Sequence, residues 1–233
     1  VSAVNWAHVD PALLPTIETV INTESTEGTV GFDDLVTSSE PLAPIDVDTA
    51  HLAVLMFTSG TAGAPRAAML THGNLMANLD QSLSAEGHID RDDVIFGVLP
   101  LFHIFGLNVV VGLGLRVGAT LLLVQRFDPS TAVQSIQDRR VTVIPGAPAL
   151  WTAFAHFDDL APDTFATVRL ALSGASRLSI TVAEAMRDRF GVEIRDFYGR
   201  LIDGMRATRG TLRSGGDGEG GGGLSAKGSP PVE

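Results

Sequence analysis

The residue types able to do chemistry concentrate in one string, Thr58-Ser59-Gly60-Thr61-Ala62-Gly63-Ala64-Pro65-Arg66, between an apolar run and Thr71-His72. Two glycines let the backbone approach a ligand and aim N–H groups at an anion. The hydroxyls of Thr58, Ser59 and Thr61 donate further, and Arg66 brings positive charge. This combination suits a polyphosphate. An ordinary strand-to-helix turn would account for the Gly and Thr but not for the whole string. The spacing is neither G-x-x-x-x-G-K-[ST], because no Lys follows, nor the dinucleotide pattern G-x-G-x-x-G. Three further positions stand out more weakly. His103 sits in the apolar run Leu99-Pro-Leu-Phe-His103-Ile-Phe-Gly106, where a histidine is more often a hydrogen-bonded core residue than a functional one. Ser173-Gly174-Ala175-Ser176 ends a strand-like run and by itself is a turn. Tyr198, the only Tyr, is by itself a core aromatic at a strand end.

Apolar runs of strand length cover 52–57, 94–99, 119–124, 141–144, 168–172 and 192–197. Helical segments are expected between them at 71–83, 105–115, 129–139, 148–157 and 180–190. Alternation of this kind is the signature of an α/β fold with a mostly parallel sheet and crossover helices. The runs are continuously apolar, as in a sheet covered on both faces. Asp128-Pro129 and Ser179 mark helix starts. Run 52–57 is expected to be a buried strand, and 58–66 a loop leading directly into the helix at Thr71. Residues 1–51 form a weak prelude, with a short helix expected around 13–21 and a turn at Phe32-Asp-Asp-Leu35. After Gly199 the texture changes: residues 201–233 hold 10 of the 25 glycines, and a disordered tail is expected there.

Acidic residues number 27 against 16 basic ones, of which only Lys227 is a lysine, giving a net charge of −11. This balance argues against a nucleic-acid partner and a polybasic membrane anchor. The absence of Cys excludes disulfides, thiolate zinc sites and cysteine nucleophiles. Arg116 interrupts the longest apolar stretch, so no transmembrane segment is expected. The N-terminal residues lack the pattern of a secretory signal. The expected location is cytoplasmic.

Taken in order, these segments resemble the AMP-forming acyl-CoA synthetase and adenylation superfamily. The string 58–66 is similar to its phosphate loop T-S-G-[ST]-T-G-x-P-K-G, with Ala62, Arg66 and Ala67 as departures. Pro100-Leu-Phe-His103 resembles its P-x-x-H segment beside the acyl and pantetheine channels. Ser173-Gly174-Ala175-Ser176 resembles the S-G-[GA]-[AG]-P turn of the adenine site, and Tyr198-Gly199 falls where Y-G-x-T-E begins. The resemblance implies a partial N-terminal domain of the adenylate-forming fold over 52–199, with 1–51 a remnant of the preceding region. It implies ATP with Mg²⁺, a fatty acid and CoA as reactants, and a fatty-acid–CoA ligase as the parent activity. Arg66 takes the catalytic role. Nucleotide binding falls to Thr58, Ser59, Gly60, Thr61, Gly63, Ser173, Gly174, Ala175, Ser176, Tyr198 and Gly199, and substrate binding to His103.

The pattern breaks after Gly199. The family follows with Thr and then a metal-binding Glu, whereas this chain has Leu201 and Ile202, so no metal ligand is assigned. Lys227 lies in the Gly-rich stretch and does not match the family's C-terminal catalytic Lys. The chain is therefore read as a truncated synthetase, inactive alone, whose residues 200–233 have the character of an out-of-frame extension. The alternative is a non-catalytic nucleotide- or acyl-binding module acting with a partner chain.

Overall fold

The computed structural model describes residues 8, 10, 12, 16–24, 26–38, 43–58, 66–84 and 87–196. The chain divides into two compact units, Val1–Val47 and Asp48–Glu233. In the first, β1 (Ile21–Asn22) and β2 (Val30–Gly31) pair in parallel, and α1 (Phe32–Ser38) follows β2 directly. The turn expected at Phe32 is thus a helix, opened by Asp33 and Asp34 in its first turn, where carboxylates complement the helix dipole. The expected helix around 13–21 is not formed over its described part, residues 16–21, which holds no helical turn and runs into β1.

The second unit begins with a hairpin. Strand β3 (Leu52–Thr58) pairs antiparallel with β4 (Arg66–Thr71), and Thr58 stands opposite Arg66 in the ladder. This corrects two expectations. The segment before Thr71 is a strand rather than a loop, and β3 is not buried, since Leu55 is 49% and Phe57 71% exposed. Register puts Leu55 opposite Met69 and Phe57 opposite Ala67, so these four side chains share one face. Helix α2 (His72–Leu83) opens on a capping box: Asn74 N–H donates to Thr71 Oγ1 at 3.1 Å, and Thr71 N–H donates to Asn74 Oδ1 at 3.1 Å.

A five-stranded, wholly parallel sheet carries the rest. Its strands are β5 (Val94–Gly97), β6 (Thr120–Leu123), β7 (Val143–Gly146), β8 (Leu170–Ser173) and β9 (Ile194–Asp196). They lie in the order β6-β5-β7-β8-β9. A seven-residue π-helix, Gly106–Gly112, runs into α3 (Leu113–Val117) between β5 and β6. Then α4 (Pro129–Asp138), α5 (Pro148–Ala155) and α6 (Ile180–Phe190) connect the later strands. The sequence read the stretch after His103 as one α-helix. It is wound wider, with the Leu113 N–H bonding to the Asn108 carbonyl, five residues back.

Side-chain alternation along each strand builds one core on each face. Ile95, Val143, Leu170 and Leu172 pack with Leu79, Val110 and Leu113. Phe96, Ile144 and Ala171 face the other way and pack with residues of α4, α5 and α6. That second core holds an aromatic series in which Trp151, Phe154, Phe165 and Phe190 follow one another, with ring centroids 5.1–6.3 Å apart. Both faces are covered, which is why the runs read as continuously apolar.

Candidate functional site

In a parallel sheet, ligands bind beyond the carboxyl ends of the strands, near the point where chain order reverses direction. Here that point lies between β5 and β7: from β5 the chain moves outward to β6, then crosses back to β7 on the other side. The residues at these ends are Gly97, Gly146 and Ser173, each the last of its strand.

Ser173 is fully buried, and its Oγ has no hydrogen-bond partner among the described residues. An unpaired buried hydroxyl costs about 1–3 kcal/mol. It sits on a strained turn, because Ala175 holds φ at +69°, a left-handed conformation unfavourable to any residue with a Cβ. Gly174 has no room for a side chain, since a Cβ there would lie 2.8 Å from the Phe105 ring. The Gly174 N–H donates to the Gly146 carbonyl at 3.2 Å, tying the turn to the end of β7. Strain, tight packing and an unmet hydroxyl therefore coincide within three residues. Ala175 and Ser176 are exposed.

Phe105 links this turn to the Pro100–His103 segment. Gly106 makes the approach possible, because its Cα lies so close to the Pro100 carbonyl that a Cβ would sit 2.3 Å from the oxygen. His103 is exposed and is not the core histidine its neighbours suggested. Its carbonyl accepts from the Leu107 N–H at 2.8 Å, and its Nδ1 accepts from the Phe105 N–H at 3.2 Å. The ring thus caps the helical segment and carries its proton, when neutral, on Nε2.

Of the string 58–66, Thr58 and Arg66 are described as cross-strand neighbours at the facing ends of β3 and β4. Ser59, Gly60, Thr61 and Gly63 lie in the connection 59–65, outside the described residues, as do Tyr198, Gly199 and the Gly-rich stretch after them. The structure brings Ser173 and Gly174 together with the segment that holds His103. Sequence reasoning missed Phe105 and Gly146, although Pro145-Gly-Ala-Pro148, a strand end followed by a helix start, marked the latter's position.

The opposite end of the sheet holds a charge cluster. Asp93, 2% exposed, accepts from Arg169 Nε at 2.8 Å, from Thr142 Oγ1 at 2.7 Å and from the Asp90 N–H at 2.8 Å. Arg169 Nη2 also pairs with Asp93 and donates to the His88 carbonyl at 3.0 Å. Burial raises the Asp93 carboxyl, but the bonds from Arg169, Asp90 and Thr142 outweigh it and hold the group below the ordinary carboxylate value. This cluster joins the starts of β5, β7 and β8 and is structural.

The Ser173–Ala175 turn thus lies at the carboxyl ends of a parallel sheet with crossover helices, the place where open α/β sheets bind small molecules. The AMP-binding enzyme family matches residues 5–200, and the chain belongs to that family. It is 35% identical to 4-coumarate–CoA ligase 1 of Solanum tuberosum over 168 residues, 70% of this chain and 31% of the relative. It is 30% identical over 155 residues to the long-chain-fatty-acid–CoA ligase of Bacillus subtilis, 66% of this chain and 28% of that one. Among solved structures, ATP-bound MatB from Rhodopseudomonas palustris superimposes with a TM-score of 0.66 at 28% identity, covering 73% of this chain and 33% of MatB. The anthranilate–CoA ligase AuaEII, at 20% identity and a TM-score of 0.73 over 83% of this chain and 39% of that one, shares the fold. The chain spans about a third of the length of the curated relatives it matches. The family match over residues 5–200 spans the antiparallel β3–β4 pairing, so the hairpin is compatible with the family.

Among the described residues, no helix is long and apolar enough to cross a membrane.

Proposed function

We propose that this chain carries the adenine-nucleotide portion of an AMP-forming acyl- or aryl-CoA ligase. The parent reaction joins a carboxylate to AMP at the expense of ATP and then passes the acyl group to CoA. The observation that carries this reading is the buried, unpartnered Ser173 hydroxyl beside the strained Ala175, at the carboxyl end of a sheet whose chain matches the AMP-binding family. A bound nucleotide would give that hydroxyl its missing partner. Thr58, Ser59 and Thr61 would donate to phosphate oxygens, with Gly60 and Gly63 allowing close approach. Arg66 would neutralise charge on the departing pyrophosphate. Tyr198 and Gly199 would border the adenine, and His103 the acyl acid.

The residues present do not make a magnesium site. Ile202 stands where the family pattern has its metal-binding Glu, and no three acidic or imidazole side chains converge among the described residues. No step is therefore assigned to the metal. The acid is an apolar carboxylic acid. The Pro100–His103 segment favours a fatty acid, and the 4-coumarate–CoA ligase relatives favour an aryl one. A polypeptide of these 233 residues is expected to bind nucleotide without turnover, because Ile202 and the placement of Lys227 remove two charged groups that the chemistry uses. Loss of one such preorganised group costs about 10²–10³ in rate. The test is pyrophosphate exchange into ATP over a panel of fatty and aryl acids. Exchange at background supports the reading. Robust exchange abolished by Arg66→Ala would make the chain a minimal ligase.

A further inference from the structure

Trp151 lies one helical turn into α5 and is fully buried. Its indole Nε1–H donates to the Leu172 carbonyl at 3.3 Å. Leu172 is the residue immediately before Ser173, so this bond grips β8 at the last peptide ahead of the strained turn. A Trp in a purely apolar core position would bury its N–H at a cost, and an aliphatic residue would fill the space without one. The indole instead reaches across from the helix that follows β7 to the end of β8.

Ala175 holds its left-handed backbone only if its surroundings over-determine it. Three fixings are visible. Phe105 packs against the Gly174 Cα, the Gly146 carbonyl accepts from the Gly174 N–H, and Trp151 holds the Leu172 carbonyl. The first two act on Gly174 itself, and the third fixes the strand that presents Ser173. Behind it, Trp151 is braced by Phe154 at 6.3 Å between centroids, and Phe154 in turn by Phe165 at 5.1 Å.

We propose that Trp151 is a positioning residue for the ligand-binding turn: its indole N–H, held to the Leu172 carbonyl, sets the Ser173 hydroxyl and the Gly174–Ala175 backbone in the geometry that receives the nucleotide. This rests on the nucleotide reading above.

The test uses the full 233-residue chain with AMP and ATP as probes. Trp151→Phe keeps an aromatic ring, removes the N–H, and leaves a small cavity where the second indole ring was. The expected result is about five- to tenfold weaker nucleotide binding, the loss of roughly one net hydrogen bond. A core variant on the same face, Phe165→Leu, is the control for simple destabilisation. When the two variants melt at matched temperatures, Trp151→Phe should bind more weakly than Phe165→Leu. Equal affinities at equal stability would overturn the proposal. If the parent chain binds neither probe, the nucleotide reading fails by itself, and amide exchange in the ligand-free protein decides the role of Trp151. Faster exchange at 173–176 in Trp151→Phe, with Val143 and Ile144 unchanged, supports it. Unchanged exchange at the turn overturns it.

Discussion

Ala175 pays for its backbone with a Cβ that crowds the neighbouring carbonyl, a conformation costing a non-glycine residue about 1–2 kcal/mol. Ala175→Gly removes that crowding but adds freedom to the unfolded chain, worth about 0.4–1 kcal/mol in the other direction. The net expected gain is about 0.5–1 kcal/mol, a rise of roughly 2 °C in Tm for a domain this size, checked by calorimetry. A fall in Tm would mean that the turn is not strained. The Asp93–Arg169 pair makes an opposite case. Arg169→Met leaves a buried carboxylate without its main partner. The expected loss is about 2 kcal/mol, less than the 3–5 kcal/mol typical of buried pairs because the arginine side chain is 38% exposed to screening water. The folded Asp93 carboxyl titrates below its unfolded value, so its stabilisation is complete above the unfolded value and is lost as pH falls through the lower folded one. Melts between pH 7 and pH 3 should therefore fall more steeply for the parent than for Arg169→Met. Parallel curves would remove Asp93 from the account.

Elements with strong local signals were legible, and elements that depend on pairing were not. Helix α6 spans the residues its periodicity marked, and α2 and α4 start at Thr71 and Asp128, whose side chains cap them. Strand β4 was missed because Ala67-Ala-Met-Leu70 lacks β-branched residues, and only the facing β3 makes it a strand. The π-helix was read as α because both bury the same apolar side chains. At the site, the Ser-Gly-Ala-Ser turn could be named from sequence, but not that the Ser173 hydroxyl lacks a partner or that Phe105 fills the space over Gly174. Those facts depend on contacts tens of residues apart, as does the Arg169–Asp93 pair, separated by 76 positions. The hairpin adds an expectation of its own. Leu55, Phe57 and Met69 share a face and are 49%, 71% and 69% exposed, an apolar surface beside strand edges that nothing pairs among the described residues. The chain should bind an apolar dye such as anilinonaphthalene sulfonate, and Phe57→Thr should reduce that fluorescence. Unchanged fluorescence would place the dye elsewhere.

For the whole molecule, the fold and the proposed activity separate cleanly. The parallel sheet, its two cores and the charge cluster at its amino end lie within 79–196. The nucleotide residues assigned by resemblance fall at the hairpin end and its connection, at the end of β8 and at 198–199, so the proposed binding draws on more than the sheet, while the proposed turnover needs a charged group that Ile202 does not supply. The central claim is that the 233-residue chain binds adenine nucleotide through these residues. Isothermal titration of the purified chain with ATP and with AMP tests it most directly. The account expects weak, saturable binding at one site per chain, reduced several-fold by Arg66→Ala for ATP and less for AMP, which lacks the departing phosphates. No saturable heat with either nucleotide, or binding that Arg66→Ala leaves untouched for both, would contradict it.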